Sequence, residues 1–220
     1  MITLYGFGRV NSKVIGQTRD LRVQWALEEV GLPYQVKALD HPAGDTKTET
    51  FRALSPFEQL PVLDDDGYVL TETGAITLYV AEKAGKLIPS DFKGRMQVTR
   101  WSFAVLNTLE LATMELAMIE LMGTLDATGP QRRPKVIERL HRWLFGIEHW
   151  LSEHRYLANA EFSVADLLLT NVLRQLRGTG VLARYPRIES LRALGEGRPA
   201  WRRACRLYEQ RLGVEPGFVR

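Results

Sequence analysis

Gln59-Leu60-Pro61-Val62-Leu63, then Asp66-Gly67, then Thr71-Glu72-Thr73-Gly74-Ala75: the reading of this stretch decides the reading of the whole chain. Pro61 has no N–H to give a sheet ladder, so inside a strand-like run it implies an edge, a turn or a cis bond. A cis Leu60-Pro61 bond would leave the backbone of Leu60 free to pair with an extended peptide, as an added strand does. Asp66-Gly67 favours a tight reversal between Val62-Leu63 and Tyr68-Val69-Leu70. From Ala75 the period changes, and Ile76, Leu78, Tyr79, Val80 and Ala81 suit a buried helix that ends near Gly85, with Thr71 or Thr73 as its cap. Free N–H groups at that helix start would hold a carboxylate and Glu72 an ammonium group, so a ligand carrying both charges fits. Taken alone, Glu72-Thr73 is also an ordinary helix start.

Working outward, 220 residues that are 45% hydrophobic can bury one large or two small cores. Residues 1–84 mix β-like pieces (Ile2 to Tyr5, Tyr34 to Leu39, Val62 to Leu63, Tyr68 to Leu70) with two helices, whereas residues from 93 onward carry only helical patterns. Gly85-Lys86-Leu87-Ile88-Pro89-Ser90-Asp91 reads as a linker, with a glycine stop, a proline and a new cap. The expected division is 1–84, a linker over 85–92, and a helical domain over 93–220.

The chain shows no signal-peptide pattern and no uninterrupted membrane span, which predicts a cytoplasmic protein without a membrane partner. Cys205 is the only cysteine, which excludes an intrachain disulfide and a Cys-x-x-Cys pair, and it reads as structural. The net charge of +3 is unevenly spread: residues 1–84 carry −4, and residues 174–220 carry +7. The basic end lacks a nucleic-acid motif and reads as solvated helix faces, or as a field that draws an anionic ligand to a cleft.

The ordered set of motifs resembles the glutathione transferases, in their bacterial, cytosolic, Ser/Thr-like form. Leu60-Pro61 is similar to that family's cis-proline motif, and Glu72-Thr73 to its acid-hydroxyl pair for the γ-glutamyl end of glutathione. Leu21-Arg22-Val23-Gln24-Trp25-Ala26-Leu27-Glu28-Glu29 resembles the first helix, Gly31-Leu32-Pro33-Tyr34 its exit, and Phe162-Ser163-Val164-Ala165-Asp166-Leu167 the family's capping box. The resemblance covers the whole chain. It implies an α/β thioredoxin-like domain followed by an all-α domain, with glutathione as co-substrate and no metal. It implies binding through Gln59, Leu60, Pro61, Glu72 and Thr73, a homodimer in which the first domain of one subunit packs on the helical domain of the other, and detoxifying transfer of the glutathione thiolate to small apolar electrophiles. A glutathione-dependent disulfide reductase or peroxidase, or a non-catalytic glutathione-binding protein, stays open as an alternative.

The resemblance also implies a hydroxyl for the glutathione sulfur near the start of the first helix. Gly6 to Asp20 is long for that loop, and it offers Thr18, Ser12 and Asn11. Counting back from Arg22-Val23 favours Thr18, which could equally be a plain helix cap; Ser12 is by default a solvated loop residue. A helix from Phe92 to about Thr124 is expected to face the first domain, with Met114, Met118 and Met122 as a mostly buried stripe; the resemblance implies that the inner edge of this helix lines the second-substrate pocket.

Overall fold

Ile2, Leu4 and Gly6 are buried and alternate with half-buried neighbours, the period of a strand with one face on a core. In the computed structural model, which describes residues 1–123 and 126–219, this strand, β1, spans Ile2–Arg9. It outruns the expected end at Tyr5 because β2 (Tyr34–Asp40) pairs with it in parallel as far as Arg9, through a register shift between Phe7 and Arg9. The segment before the first helix is shortened accordingly.

β3 (Val62–Asp65) and β4 (Tyr68–Leu70) complete a four-stranded sheet in the order β2-β1-β3-β4, with β3 antiparallel to both neighbours. The hairpin between them turns on Asp66 and Gly67, whose φ values of 51° and 93° are both positive, as a two-residue reversal requires. Pro61 stands just before β3, where its missing N–H costs the ladder nothing.

Three helices are interspersed with these strands: α1 (Arg19–Val30) between β1 and β2, α2 (Glu49–Leu54) between β2 and β3, and α3 (Thr73–Ala84) after β4, ending at Gly85. Tyr5 pairs with Val62, and Leu63 with Leu70. The end of β1, the start of β3 and the end of β4 therefore share one end of the sheet. Pro61 precedes the second of these, and α1 and α3 start after the other two, so all three starts are gathered at that end.

The chain divides into two compact units, Met1–Leu87 with Gly197–Arg220, and Ile88–Glu196. The last helix, α9 (Pro199–Leu212), thus belongs with the sheet and not with the helices that precede it in sequence. It lies along α1, where Trp201 meets Trp25 edge to face at 4.8 Å between ring centroids. Arg198 and Arg203 pair with Glu29 and Glu28 of α1 at 2.7 and 2.8 Å. The basic end of the sequence and its acidic start are complementary surfaces of one unit.

In the other unit, α4 (Phe92–Phe103) begins at Asp91, whose side chain accepts from Gly94 N–H at 2.9 Å. A wider π turn over Ala104–Leu109 joins α4 to α5 (Glu110–Met122). The expected end at Thr124 lies outside the described residues. α6 (Gly129–Glu153), α7 (Val164–Leu173) and α8 (Pro186–Glu196) follow. Every residue of α7 is buried, and the capping box of Ser163 and Asp166 starts it. The methionine stripe is not core: Met118 is 45% exposed and Met114 half-buried, while Phe103 and Leu111 are exposed. All three methionines lie in α5, whose buried face carries Ala112, Thr113, Leu116 and Ile119 instead, and a step of four residues drifts by about 40° each time from any fixed helix face. The 92–121 segment is the one helix among the described residues that is long and apolar enough to cross a membrane; 44% of its apolar window is buried, with α6 and α7 packed against it.

Candidate functional site

At the gathered end of the sheet, the loop before β3 is held by one buried serine. Ser55 Oγ donates to the Gln59 carbonyl at 3.0 Å and accepts from Gln59 N–H at 3.1 Å. The Gln59 side chain is exposed and donates to the Phe57 carbonyl, and Leu60 and Pro61 are buried behind it. The Leu60-Pro61 bond is cis.

α3 starts with no side chain capping it and no acid in its first turn. Its opening N–H groups keep their hydrogen-bonding capacity for a ligand. Glu72, the residue before it, has φ 68° and ψ 117°, a conformation that non-glycine residues rarely adopt and that costs about 1–3 kcal/mol. The Glu72 carboxylate is exposed and, among the described residues, nothing pairs with it. Thr73 is buried, and its carbonyl accepts from Thr77 Oγ1 at 2.8 Å. An open helix start and a free carboxylate together offer the ends of an amino acid both of the charges they need.

α1 begins at the same end. Thr18 has the extended backbone of a cap residue, yet its side chain makes no capping bond. Its hydroxyl lies 2.6 Å from the Tyr208 hydroxyl of α9, and both residues are buried. Asn11 and Ser12 sit instead on an exposed turn, where the Asn11 side chain caps a short helical turn over Ser12–Val14 by accepting from Lys13 N–H at 3.0 Å. Asp20, fully buried, accepts from Phe7 N–H at 3.1 Å and from Arg211 at 2.6 Å. Burial, aided by the Asp20 charge, pushes the Tyr208 phenol well above its ordinary range, so it stays protonated at neutral pH.

Tyr208, Asp20 and Arg211 escape the sequence reading because their partners are remote; the Thr18–Tyr208 bond spans 190 positions. The one signal that could have found them is the opposite charge of the two ends of the chain. Among the described residues, no group of three or more His, Cys, Asp or Glu side chains is placed to hold a metal.

The helical unit has its own cavity of about 350 Å³ at the π turn, walled by Trp101, Val105, Leu109, Trp143 and Ile147. It is almost wholly apolar, and the Trp101 indole N–H beside it has no hydrogen-bond partner among the described residues.

Residues 13–82 match the family model "Glutathione S-transferase, N-terminal domain". Glutathione S-transferase D7 of Anopheles gambiae is 30% identical over 167 residues, which cover 73% of this chain and 73% of that protein. The crystal structure of glutathione transferase F7 from Populus trichocarpa superposes with a TM-score of 0.82 at 26% identity, over 94% of this chain and 98% of that one. A glutathione transferase from Burkholderia graminis, solved with two glutathione molecules bound per subunit, gives a TM-score of 0.79 at 25% identity, over 93% of this chain and 87% of that one.

Proposed function

The chain belongs to the glutathione S-transferase family, a transferase with glutathione as co-substrate, and from that premise we propose that it attaches the glutathione sulfur to small apolar electrophiles. The observation that carries this reading is the open start of α3 beside the strained, unpaired Glu72, at the end of the sheet that also holds Pro61 and the start of α1. The γ-glutamyl carboxylate takes the N–H groups at Thr73, and its ammonium group takes Glu72. The peptide backbone lies along the Gln59-Leu60-Pro61 segment. Thr18 donates a hydrogen bond to the sulfur and favours the thiolate, which attacks the electrophilic carbon; a carbon–sulfur bond forms, and a leaving group such as chloride departs with its electron pair.

The test is conjugation of glutathione to a generic aryl halide, together with calorimetric titration of glutathione into wild type and Glu72→Gln. A charge-assisted contact contributes about 1.5–3 kcal/mol, so the variant should bind roughly tenfold more weakly or worse while remaining folded. Equal affinity overturns the placement of the γ-glutamyl end.

The Burkholderia graminis relative, with two glutathione molecules per subunit, favours a second reading, since thiol–disulfide exchange brings two such molecules together. Turnover of a glutathione mixed disulfide without aryl-halide conjugation would select it.

The reading includes a cytoplasmic homodimer. Phe57, on the loop before Pro61, is 77% exposed, the most exposed large apolar side chain of the first unit. The apolar cavity of a second copy's helical unit is its natural seat, as pairing of unlike domains requires. Sedimentation should give twice the 25.0 kDa chain mass, and Phe57→Ser should shift the mass toward one chain. A wild-type monomer at high micromolar concentration excludes the dimer.

A further inference from the structure

We infer that Tyr208 is a positioning residue that holds the Thr18 hydroxyl with its proton free for the glutathione sulfur, an inference that rests on the role proposed above for Thr18. The two hydroxyl oxygens are 2.6 Å apart and buried, so one of them donates to the other. The direction follows from counting donors. Each hydroxyl has one proton and two lone pairs. Tyr208 Oη already accepts from Gly16 N–H at 3.4 Å, and a fully buried phenol has no water to which its proton can turn. Phenols are also stronger donors than aliphatic alcohols. Tyr208 therefore donates to Thr18 Oγ1, and the Thr18 proton remains available to a third atom.

The charged groups around the pair fit this role. Asp20 on α1 and Arg211 on α9 are the ionisable side chains that act on the phenol, and the Arg211 guanidinium lies 5.1 Å from the Tyr208 ring centre. A bare carboxylate at the start of α1 would oppose a thiolate there. The Arg211 guanidinium, 2.6 Å from Asp20 Oδ2, offsets that charge. Without Tyr208 the Thr18 hydroxyl is free to turn onto the uncapped N–H groups of α1, the ordinary habit of threonine at a helix start. The C-terminal helix thus reaches the Thr18 side chain through the Tyr208 hydroxyl.

Tyr208→Phe keeps the ring and removes the hydroxyl, which is both the donor to Thr18 and the acceptor for Gly16 N–H. Bound glutathione is titrated by its thiolate ultraviolet absorbance in wild type, Tyr208→Phe, Thr18→Ser and Thr18→Ala, with conjugation rates measured across the same pH range. Tyr208→Phe should raise the pH of thiolate formation by about one unit, a tenfold loss of thiolate at neutral pH. Its glutathione affinity should stay within about twofold, and its rate should converge on wild type at high pH. Thr18→Ser should titrate like wild type, and Thr18→Ala should shift upward at least as far as Tyr208→Phe. If Thr18→Ala shifts and Tyr208→Phe does not, the inference falls while the role of Thr18 stands. If neither shifts, Thr18 is not the sulfur's partner and both fall. Should Tyr208→Phe fail to fold, fluorotyrosine placed at position 208, a stronger donor of nearly equal size, should move the titration downward; an unmoved titration overturns the inference.

Discussion

Arg211 donates to Asp20 across 2.6 Å with both side chains buried, so a helix at the end of the chain holds the carboxylate that opens its first helix. Removing one partner of such a pair leaves an uncompensated charge, which typically costs about 3–5 kcal/mol. Arg211→Met should lose that much in urea unfolding. The double variant Arg211→Met, Asp20→Asn should recover part of it, and simple additivity of the two losses would show that they do not act as a pair.

The same pair explains why position 6 is glycine. A Cβ there would stand 2.7 Å from Asp20 Oδ2 and 3.0 Å from Arg211 Nη1, closer than packed atoms allow. Gly6→Ala should cost about 1–3 kcal/mol by overpacking. A smaller loss in the Asp20→Asn, Arg211→Met background would locate the clash at the pair; an equal loss would place it elsewhere.

Much of the first unit is legible because its signals are local. Asp66-Gly67 closes a hairpin through backbone conformation alone, and Ser163 and Asp166 meet across a single helical turn. Thr18 is legible as the residue before α1, but the partner of its hydroxyl is not, because no period or spacing links it to Tyr208. The excess of arginine near the end of the chain was visible as charge, but reads as solvated until α9 is seen against Glu28 and Glu29. The methionine stripe misleads because spacing shows that its members are neighbours on α5 but not which face of α5 is buried, and that face carries Ala112, Leu116 and Ile119.

Asp65 gives a pH signature independent of the thiol site. It accepts from Tyr79 Oη at 2.6 Å and pairs with Lys83 Nζ at 2.5 Å, which holds its carboxyl below the usual range. The unfolded chain therefore takes up the proton first as pH falls. The stabilisation is present above the ordinary carboxylate pKa and is lost as acidification proceeds through the lower folded value. Asp65→Asn should flatten the acid limb of the melting temperature between about pH 5 and pH 3. An acid limb as steep as wild type would assign that loss to other carboxylates.

Asp166 accepts from Leu157 N–H at 2.8 Å, Ser163 N–H at 2.9 Å and Ser163 Oγ at 2.8 Å, all of them buried. Asp166→Ala strands two backbone donors, each costing about 1–3 kcal/mol. The variant should lose at least about 2 kcal/mol and unfold earlier on heating. Ser163→Ala removes one cap contact, at about 1 kcal/mol, and should be the milder of the two. The reverse order in calorimetry would contradict the capping account.

Glu72 separates stability from binding. Its φ of 68° lies on the positive side that glycine adopts more readily than other residues, while its carboxylate pairs with nothing among the described residues. Glu72→Gly should relieve strain of about 1–3 kcal/mol, less the roughly 0.5–1 kcal/mol by which glycine favours the unfolded chain. The melting temperature should therefore rise slightly. Glutathione affinity should fall by roughly tenfold or more, because the ammonium group loses its partner. Glu72→Gln, which keeps the strain, should lose affinity without gaining stability. If Glu72→Gly instead melts lower than wild type, the positive φ is not a strain that the fold holds for the ligand; if it melts higher and binds as tightly, Glu72 does not hold the ammonium group.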